Sequence, residues 1–181
     1  MQKKNGFTLI ELLTVIAIIG LLASIVLASI GTAKRKSRDV RRLSDMRQIR
    51  TDLELYLSEK GQYPGTVIAY GERDVPCNGW DISNVDQDGD GRPFIDPLIE
   101  DGVVSMVPVD PLDNFNNCGN YAYYRYAAGL YGCDPARGDY YVLGVRDMEG
   151  SGNPHPTSRG WSCPGRNWQA EFEWVIGEYS K

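Results

Sequence analysis

The sequence contains only one histidine and lacks the short motifs that mark the common classes of enzyme. Neither G-x-G-x-x-G nor a phosphate-binding P-loop is present, and no serine lies in a G-x-S-x-G turn. The histidine, His155, lies in a loop between two prolines. Clustered aspartates could exchange protons in principle, but they lie in a turn whose oxygens converge. The sequence therefore predicts a protein that is not an enzyme and has no catalytic residues.

Charged residues are absent from residues 12–30, and this run contains one glycine, Gly20, and no proline. As a helix the run would be roughly 28 Å long, which matches the hydrocarbon core of a bilayer. A secretory signal peptide is the alternative, with Ala28-Ser29-Ile30 as a weak cleavage site. Its apolar region, however, is usually only about 7–15 residues long. The run therefore predicts a helix of membrane-spanning length.

A single carboxylate, Glu11, stands at the start of this apolar run, directly after Gly6-Phe7-Thr8-Leu9-Ile10. An ionisable side chain at the centre of a bilayer costs about 2.5–3.5 kcal/mol on insertion scales, so its presence needs a reason. A short basic tail, Lys3 and Lys4, precedes the stretch. Together these features resemble the N-terminus of a type IV prepilin or a type II secretion pseudopilin.

The resemblance implies how the N-terminus is processed. Residues 1–6 would be a leader peptide, which the prepilin peptidase removes by cutting between Gly6 and Phe7. Phe7 would then be N-methylated. Glu11 matches the characteristic glutamate of the family, and its implied partner during assembly is the free amine of Phe7 in a neighbouring subunit, because a buried carboxylate needs a paired charge.

The resemblance also implies a location and partners. The subunit would be anchored in the inner membrane with a cytoplasmic N-terminus and an extracytoplasmic head, in contact with lipid, the peptidase and the assembly platform. It would then join copies of itself and other pilin-like subunits in a helical filament, either extracellular or periplasmic. The positive-inside rule favours the opposite orientation, because more Lys and Arg follow the apolar run than precede it. The cysteines, which favour an oxidising compartment, support the orientation adopted here.

Residues 34–60 are predicted to continue the same helix as an amphipathic segment that runs into the head. Apolar residues recur there at steps of three and four and would line one face: Val40, Leu43, Met46, Ile49, Leu53, Tyr56 and Leu57. Gly61 and Pro64 end the pattern. Residues 7–60 would thus form one helix about 80 Å long, of which residues 7–33 cross the membrane and later form the filament core. Many members of the family have a helix-breaking proline where Ala28-Ser29 stands here, which leaves Gly31 as a weaker hinge.

Residues 61–181 are rich in glycine, proline and tyrosine and predict a globular head. Residues 120–128 and 139–147 predict two strands whose tyrosines pack in the sheet, whereas residues 168–179 fit either a strand or a helix. The predicted fold class is α+β: a long N-terminal helix packed on a small antiparallel sheet with long loops, as in pilins. Val107-Pro108-Val109-Asp110-Pro111 resembles a segment of major pseudopilins, although a proline-set turn before a strand explains it equally well.

Charge divides the chain into two parts. Residues 1–60 carry eleven Lys and Arg against six Asp and Glu, a net of +5, and residues 61–181 carry eight against eighteen, a net of −10. The acidic head argues against direct nucleic-acid binding. Six cations form what we call the basic collar: Lys34, Arg35, Lys36, Arg38, Arg41 and Arg42. The collar would bind lipid head groups before assembly, face acidic heads of neighbouring subunits afterwards, or simply be solvated.

All four cysteines, Cys77, Cys118, Cys133 and Cys163, lie in the head and form no C-x-x-C pair. A zinc site usually needs such close pairs, so the spacing argues against zinc. An even number of cysteines in an exported domain favours two disulfides, and the sequence leaves all three pairings open. The alternative is buried free thiols.

The stretch Asp86-Gln87-Asp88-Gly89-Asp90-Gly91-Arg92 resembles the first half of a calcium loop. The predicted ligands are Asp86, Asp88, Asp90, the carbonyl of Arg92, and Asp96. Pro97 stands where an EF-hand has its bidentate glutamate, so Asp96, or else Glu100 or Asp101, would take that place. Calcium-dependent heads among the pseudopilins support this hypothesis. The alternative is a solvated acidic turn whose glycines serve only the backbone.

Two functions compete on the sequence alone. The first is a structural subunit of a type IV pilus-like filament or of a type II secretion pseudopilus, assembled through its N-terminal helix. The second is a single-pass, membrane-anchored binding module that does not assemble and has a calcium-stabilised extracytoplasmic head. The absence of catalytic motifs and the N-terminal resemblance favour the first.

Overall fold

The computed structural model describes residues 8–65, 76–83, 94–112 and 120–181. One long helix, α1 (Leu9–Lys60), leads into a head with a short helix, α2 (Pro97–Glu100). Four antiparallel strands form the main sheet: β1 (Asp81–Ile82), β2 (Tyr121–Tyr126), β3 (Tyr140–Val145) and β6 (Trp174–Tyr179), in the order β1-β2-β3-β6. A small ribbon consists of β4 (Ser162–Cys163) and β5 (Arg166–Asn167). The predicted α+β class, a long helix packed on a small antiparallel sheet, is confirmed.

Helix α1 is continuous over 52 residues, which corresponds to about 78 Å. It begins after Thr8, whose hydroxyl accepts a hydrogen bond from the amide of Glu11. It ends at Gly61, where φ is 74° and the amide donates to the carbonyl of Leu57. A residue with a side chain would be strained at that φ, so glycine sets the end of the helix. The predicted C-terminal boundary is therefore confirmed.

The second half of α1 packs against the sheet. Met46, Ile49 and Leu53 are fully buried, and Tyr56 is nearly so. Val40, which we predicted on the same face, is 67% exposed, and that prediction is wrong. Val40 precedes Ile49 by nine residues, and at about 100° per residue the two side chains point to opposite sides of the helix. The packed stripe therefore begins after Val40.

The main sheet buries both of its faces, because successive side chains of a strand alternate between them. One face packs on α1 through residues such as Tyr121, Tyr123, Leu143 and Ile176. The other face lies under loop residues and forms a second cluster: Trp80, Ala122, Tyr126, Tyr140, Val142, Trp168, Phe172 and Val175. The strand tyrosines thus serve the packing of the sheet, as predicted.

The last strand of the main sheet comes from the segment whose structure the sequence left undecided. Residues 168–179, which fitted either a helix or a strand, contain one 3₁₀ turn (Trp168–Ala170) followed by strand β6. In β3, Gly144 accommodates Phe172 from this segment: a Cβ at Gly144 would lie only 2.5 Å from the phenylalanine ring. Phe172, which lies between the 3₁₀ turn and β6, therefore packs on the second face of the sheet.

Candidate functional site

The first half of α1 exposes an apolar surface on every side. Its large apolar side chains are between 43% (Ile30) and 81% (Leu9) exposed. Among the described residues, α1 is the one helix long and apolar enough to cross a membrane, and its most apolar part is not buried. An apolar surface of this size marks a contact with lipid or with another protein.

Glu11 is the only charged residue in the described part of this half, and its carboxylate is bonded within the chain. Its Oε2 accepts hydrogen bonds from the backbone amide of Thr8 at 2.8 Å and from the Thr8 hydroxyl at 2.6 Å. The two residues form a reciprocal capping box, which satisfies amides that the first turn of a helix leaves unpaired. Gly6 and Phe7, the predicted cleavage and methylation residues, lie outside the described residues.

A cluster of ion pairs joins α1 to the head. This junction cluster consists of Arg38, Asp39, Arg42, Asp110 and Glu149. Arg42 is 2% exposed and lies at its centre. Its guanidinium donates to Asp110 (Nε to Oδ2, 2.7 Å), Asp39 (Nη1 to Oδ1, 2.8 Å) and Glu149 (Nη1 to Oε1, 2.9 Å). Arg38 binds Glu149 from the outer side, with 2.6 Å between Nε and Oε1.

Asp39 fastens one head loop to the helix. Its carboxylate accepts hydrogen bonds from the amides of Glu149 and Gly150, both at 2.9 Å, and from the hydroxyl of Ser151 at 2.8 Å. A buried carboxylate with this many donors is fully satisfied. The loop that follows β3 is therefore held on α1 by backbone groups as well as by charge.

Asn120 connects the other side of the cluster to the sheet. Its Nδ2 donates to Asp110 at 2.8 Å and to the carbonyl of Asp147 at 2.9 Å, and its Oδ1 accepts from the amide of Asp147. Asp110 also accepts from the amide of Leu112 at 2.9 Å. The segment around Asp110, the start of β2 and the end of β3 therefore meet at Arg42.

Two carboxylates of the cluster have lowered pKa values. Burial opposes the ionisation of Asp110, but hydrogen bonds from Arg42 and the Leu112 amide outweigh it, and the pKa lies below its usual value. The hydrogen bond from Arg38, and then that from Arg42, lowers the pKa of Glu149 in spite of partial burial. Both side chains are therefore carboxylates at neutral pH.

The junction cluster corrects our interpretation of the basic collar. We expected the collar to meet lipid head groups, neighbouring heads or water, but Arg38 and Arg42 pair with acidic groups of their own chain. The reason is position: Arg42 lies four residues before Met46, on the face of α1 that packs against the head. The other four collar cations are exposed: Lys34, Arg35, Lys36 and Arg41.

Comparison with known proteins gives matches in the N-terminal part of the chain and one that covers most of it. A family profile described as the prokaryotic N-terminal methylation motif matches residues 1–27. Over 66 residues the chain is 36% identical to type II secretion system core protein G of Klebsiella pneumoniae, an alignment that covers 36% of this chain and 47% of the relative. The corresponding protein of Pseudomonas aeruginosa is 25% identical over 160 residues, which are 88% of this chain and 96% of the relative.

The chain carries a prepilin-type methylation motif and is homologous to type II secretion system core protein G. Core protein G of Escherichia coli strain K12 gives the same result, with 38% identity over 65 residues, 36% of this chain and 45% of the relative. The chain spans about half the length of most of the curated relatives it matches. No solved structure matches it significantly. The resemblance to the pseudopilins predicted from the N-terminus is thereby confirmed.

The described cysteines of this pseudopilin homologue are disulfide-bonded, as the sequence predicts. Cys133 and Cys163 form a disulfide with 5.0 Å between their Cα atoms, which ties the loop after β2 to the β4–β5 ribbon. Cys77 is also disulfide-bonded, and none of the described cysteines is free. Cys118 lies outside the described residues.

Most of the predicted calcium ligands lie outside the described residues. Asp86, Asp88, Asp90 and Arg92 lie outside the described residues. Asp96 is described: it is 2% exposed and precedes α2, whose Ile99 and Glu100 amides donate to its carbonyl. The described ranges contain no group of three or more His, Cys, Asp or Glu side chains that could hold a metal ion. Calcium binding by this chain remains a prediction.

Sequence reasoning missed the junction cluster, although a signal for it was present. Arg42, Met46, Ile49 and Leu53 are spaced by four, three and four residues, so the arginine lies in line with the apolar stripe. A cation at such a position needs a buried anion. The signal shows that a partner exists, but it does not identify Asp110 or Glu149.

Proposed function

We propose that this protein is a structural subunit of a pseudopilus, the filament of a type II secretion-like machine. The homology to core protein G and the methylation motif support the proposal. The observation that carries it is the exposed apolar half of α1, which is continuous with a half fixed to a folded head. Such a helix can exchange lipid contacts for contacts with other copies while the head keeps its fold.

In this proposal the subunit first lies in the inner membrane, with residues 1–6 in the cytoplasm and the head on the opposite side. The prepilin peptidase cuts between Gly6 and Phe7, and Phe7 is N-methylated. The assembly platform then moves the subunit out of the bilayer and into a growing filament. The same machine determines whether the filament stays periplasmic or extends outside the cell.

Glu11 supplies the selectivity of the assembly step. Lipid tails are as apolar as leucine, so apolar contacts between helices give little net driving force for leaving the bilayer. A carboxylate is different, because an amine of the neighbouring subunit stabilises it far better than lipid does. Within a single subunit the Thr8 amide and hydroxyl already bond Glu11, which reduces the cost of holding it in the membrane. Assembly adds the Phe7 amine as the charged partner.

Two substitutions test the proposal in cells that express the full-length chain. Gly6→Ala should block cleavage, and Glu11→Ala should allow cleavage but abolish filaments. Thr14→Ala, one turn away on the same apolar half, is the matched control and should assemble normally. Mass spectrometry of the N-terminus reports cleavage and methylation, sedimentation of sheared material reports filaments, and protease resistance reports the fold of the head.

The proposal fails if Gly6→Ala protein is still processed at Phe7 and assembles normally. It also fails if Glu11→Ala filaments match the wild type in yield. If the wild-type protein is processed but never sediments as filaments, the binding-module alternative takes its place.

A further inference from the structure

A groove lined by arginines runs along the outer edge of β6. It consists of two adjoining cavities of about 170 Å³ and 300 Å³, which share Arg159 and Ile176. The smaller cavity lies between α1 and β6, and the larger continues toward Arg137 and Trp161. We call this feature the arginine groove and define it by its four cations: Arg47, Arg50, Arg137 and Arg159.

Two of these arginines are held by their own chain. Arg50 bonds Glu178, with 3.2 Å between Nε and Oε2, and pairs with Glu54 at 3.0 Å. The guanidinium of Arg137 lies 3.9 Å from the ring centroid of Tyr179. With Glu178 and Glu54 counted against the four arginines, the groove keeps a surplus of two positive charges.

The other two arginines carry that surplus. Arg47 on α1 and Arg159 on the loop before β4 are both exposed, and within the described ranges neither forms an ion pair. They line the same small cavity, whose floor contains Trp174 and Ile176, both more than nine-tenths buried. A carboxylate placed between them would gain two charged donors over an apolar floor that restricts water.

The head as a whole has a negative net charge. Residues 61–181 carry eight Lys and Arg against eighteen Asp and Glu, which gives −10. Two further arginines of the head are already paired: Arg125 with Asp139 at 2.6 Å and Arg166 with Glu171 at 2.7 Å. The arginine groove is therefore a local cationic site on an acidic surface.

We propose that the arginine groove binds carboxylate side chains on the head of a second copy of this chain. The inference rests on the proposed filament, in which heads of equal negative charge lie side by side and repel one another. Each head offers a surplus of carboxylates, and a cationic groove on every copy offsets the repulsion and fixes the contact. The smaller cavity, at about 170 Å³, is below the roughly 300–1,000 Å³ of ligand pockets, so it suits a side chain of a neighbour.

The first test compares filament yields of full-length variants expressed at equal levels. Arg47→Gln/Arg159→Gln should lower the yield of sheared filaments about tenfold, the effect of losing one factor of ten in an association constant. Arg47→Lys/Arg159→Lys, which keeps the charge, should retain most of the yield. Arg35→Gln/Lys36→Gln removes the same charge outside the groove and should assemble like the wild type.

The second test identifies the occupant. A photo-crosslinking residue at Thr157, which is exposed and lines the smaller cavity, should link two copies of the chain in wild-type filaments. Peptide mapping should place the link next to an Asp or Glu of the other copy. A link to a different protein, or no link in filaments that form normally, would overturn the proposal.

The outcomes also separate this inference from the proposed function. Normal yield of the Gln variant, or an equal loss in the collar control, refutes the groove and leaves the filament intact. If the wild-type chain forms no filaments, both conclusions fail. Thermal unfolding of the variants in detergent must match the wild type, since Arg47 and Arg159 make no internal ion pair among the described residues.

Discussion

The two halves of α1 share one continuous backbone and have opposite surroundings. The N-terminal half is apolar on every side and carries one described charge, Glu11, which is bonded within the helix to Thr8. The C-terminal half carries many charges, and Arg42 is buried among acidic groups of the head. The first half therefore presents its surface to lipid or to other proteins, whereas the second half is fixed to the head of its own chain.

Removal of Arg42 should lower the free energy of unfolding most, because Arg42 is the centre of the contact between α1 and the head. Arg42→Ala would leave Asp39, Asp110 and Glu149 close together without their central cation, and loss of one member of a buried ion-pair network typically costs about 3–5 kcal/mol. Urea unfolding of the full chain in detergent measures the effect. Arg41→Ala is the matched control: Arg41 is exposed and its contact with Asp45 is long at 3.8 Å, so the change should stay within about 0.5 kcal/mol. Equal effects of the two substitutions would contradict the assigned role of Arg42.

Acid should weaken the junction cluster between α1 and the head, but by a smaller amount. Asp110 and Glu149 have folded-state pKa values below their usual ones, so the stability they contribute is present above their unfolded values, about 3.9 and 4.3. That contribution is lost as the pH falls below about 4 and through the folded-state values. Unfolding of the head should therefore become easier between pH 5 and pH 3 on a urea titration at each pH. Asp110→Asn should show a shallower slope, and an unchanged slope would argue against the cluster as the source.

Features with local signals could be predicted from the sequence, whereas the contacts that join α1 to the head could not. The C-terminal end of α1 and the strands β2 and β3 follow from local signals: Gly61, apolar periodicity and runs of tyrosine. The sequence predicts a helix from residue 7, whereas α1 begins at Leu9, after its cap Thr8. The junction cluster joins Arg42 to Asp110 and Glu149, which are 68 and 107 residues away along the chain. Periodicity reports that a face is buried and cannot identify such distant partners. The same limit explains Val40, which continues the spacing of apolar residues but points away from the packed face of α1.

Calcium should stabilise the head and leave the first half of α1 unaffected. If Asp86, Asp88, Asp90, the Arg92 carbonyl and Asp96 bind calcium, saturation at one hundred times the Kd adds about 2.7 kcal/mol to the folded head. Millimolar calcium should then raise the melting temperature of the head over that in EDTA. Asp88→Asn should lose the response. A wild-type head whose melting ignores both calcium and EDTA would refute the calcium hypothesis.

The smallest effect is expected for a substitution on the exposed side of the second half of α1. Val40→Ala should change the free energy of unfolding by no more than about 0.5 kcal/mol, because the side chain is largely in solvent. Leu53→Ala, on the buried face, should cost about 2–5 kcal/mol. Denaturant unfolding of both variants compares the two sides of the helix directly. Similar losses would mean that Val40 is buried in solution by an additional contact.

In the proposed assembly, the first half of α1 leaves lipid and packs in a filament core with Glu11 paired across subunits. The most direct test is the structure of the sheared filament at a resolution that shows side chains. We expect the first halves of α1 to pack together at the centre, with the Glu11 carboxylate within about 4 Å of the Phe7 amine of a neighbouring subunit. A filament in which Glu11 faces solvent, or in which the heads alone make the contacts, would contradict it.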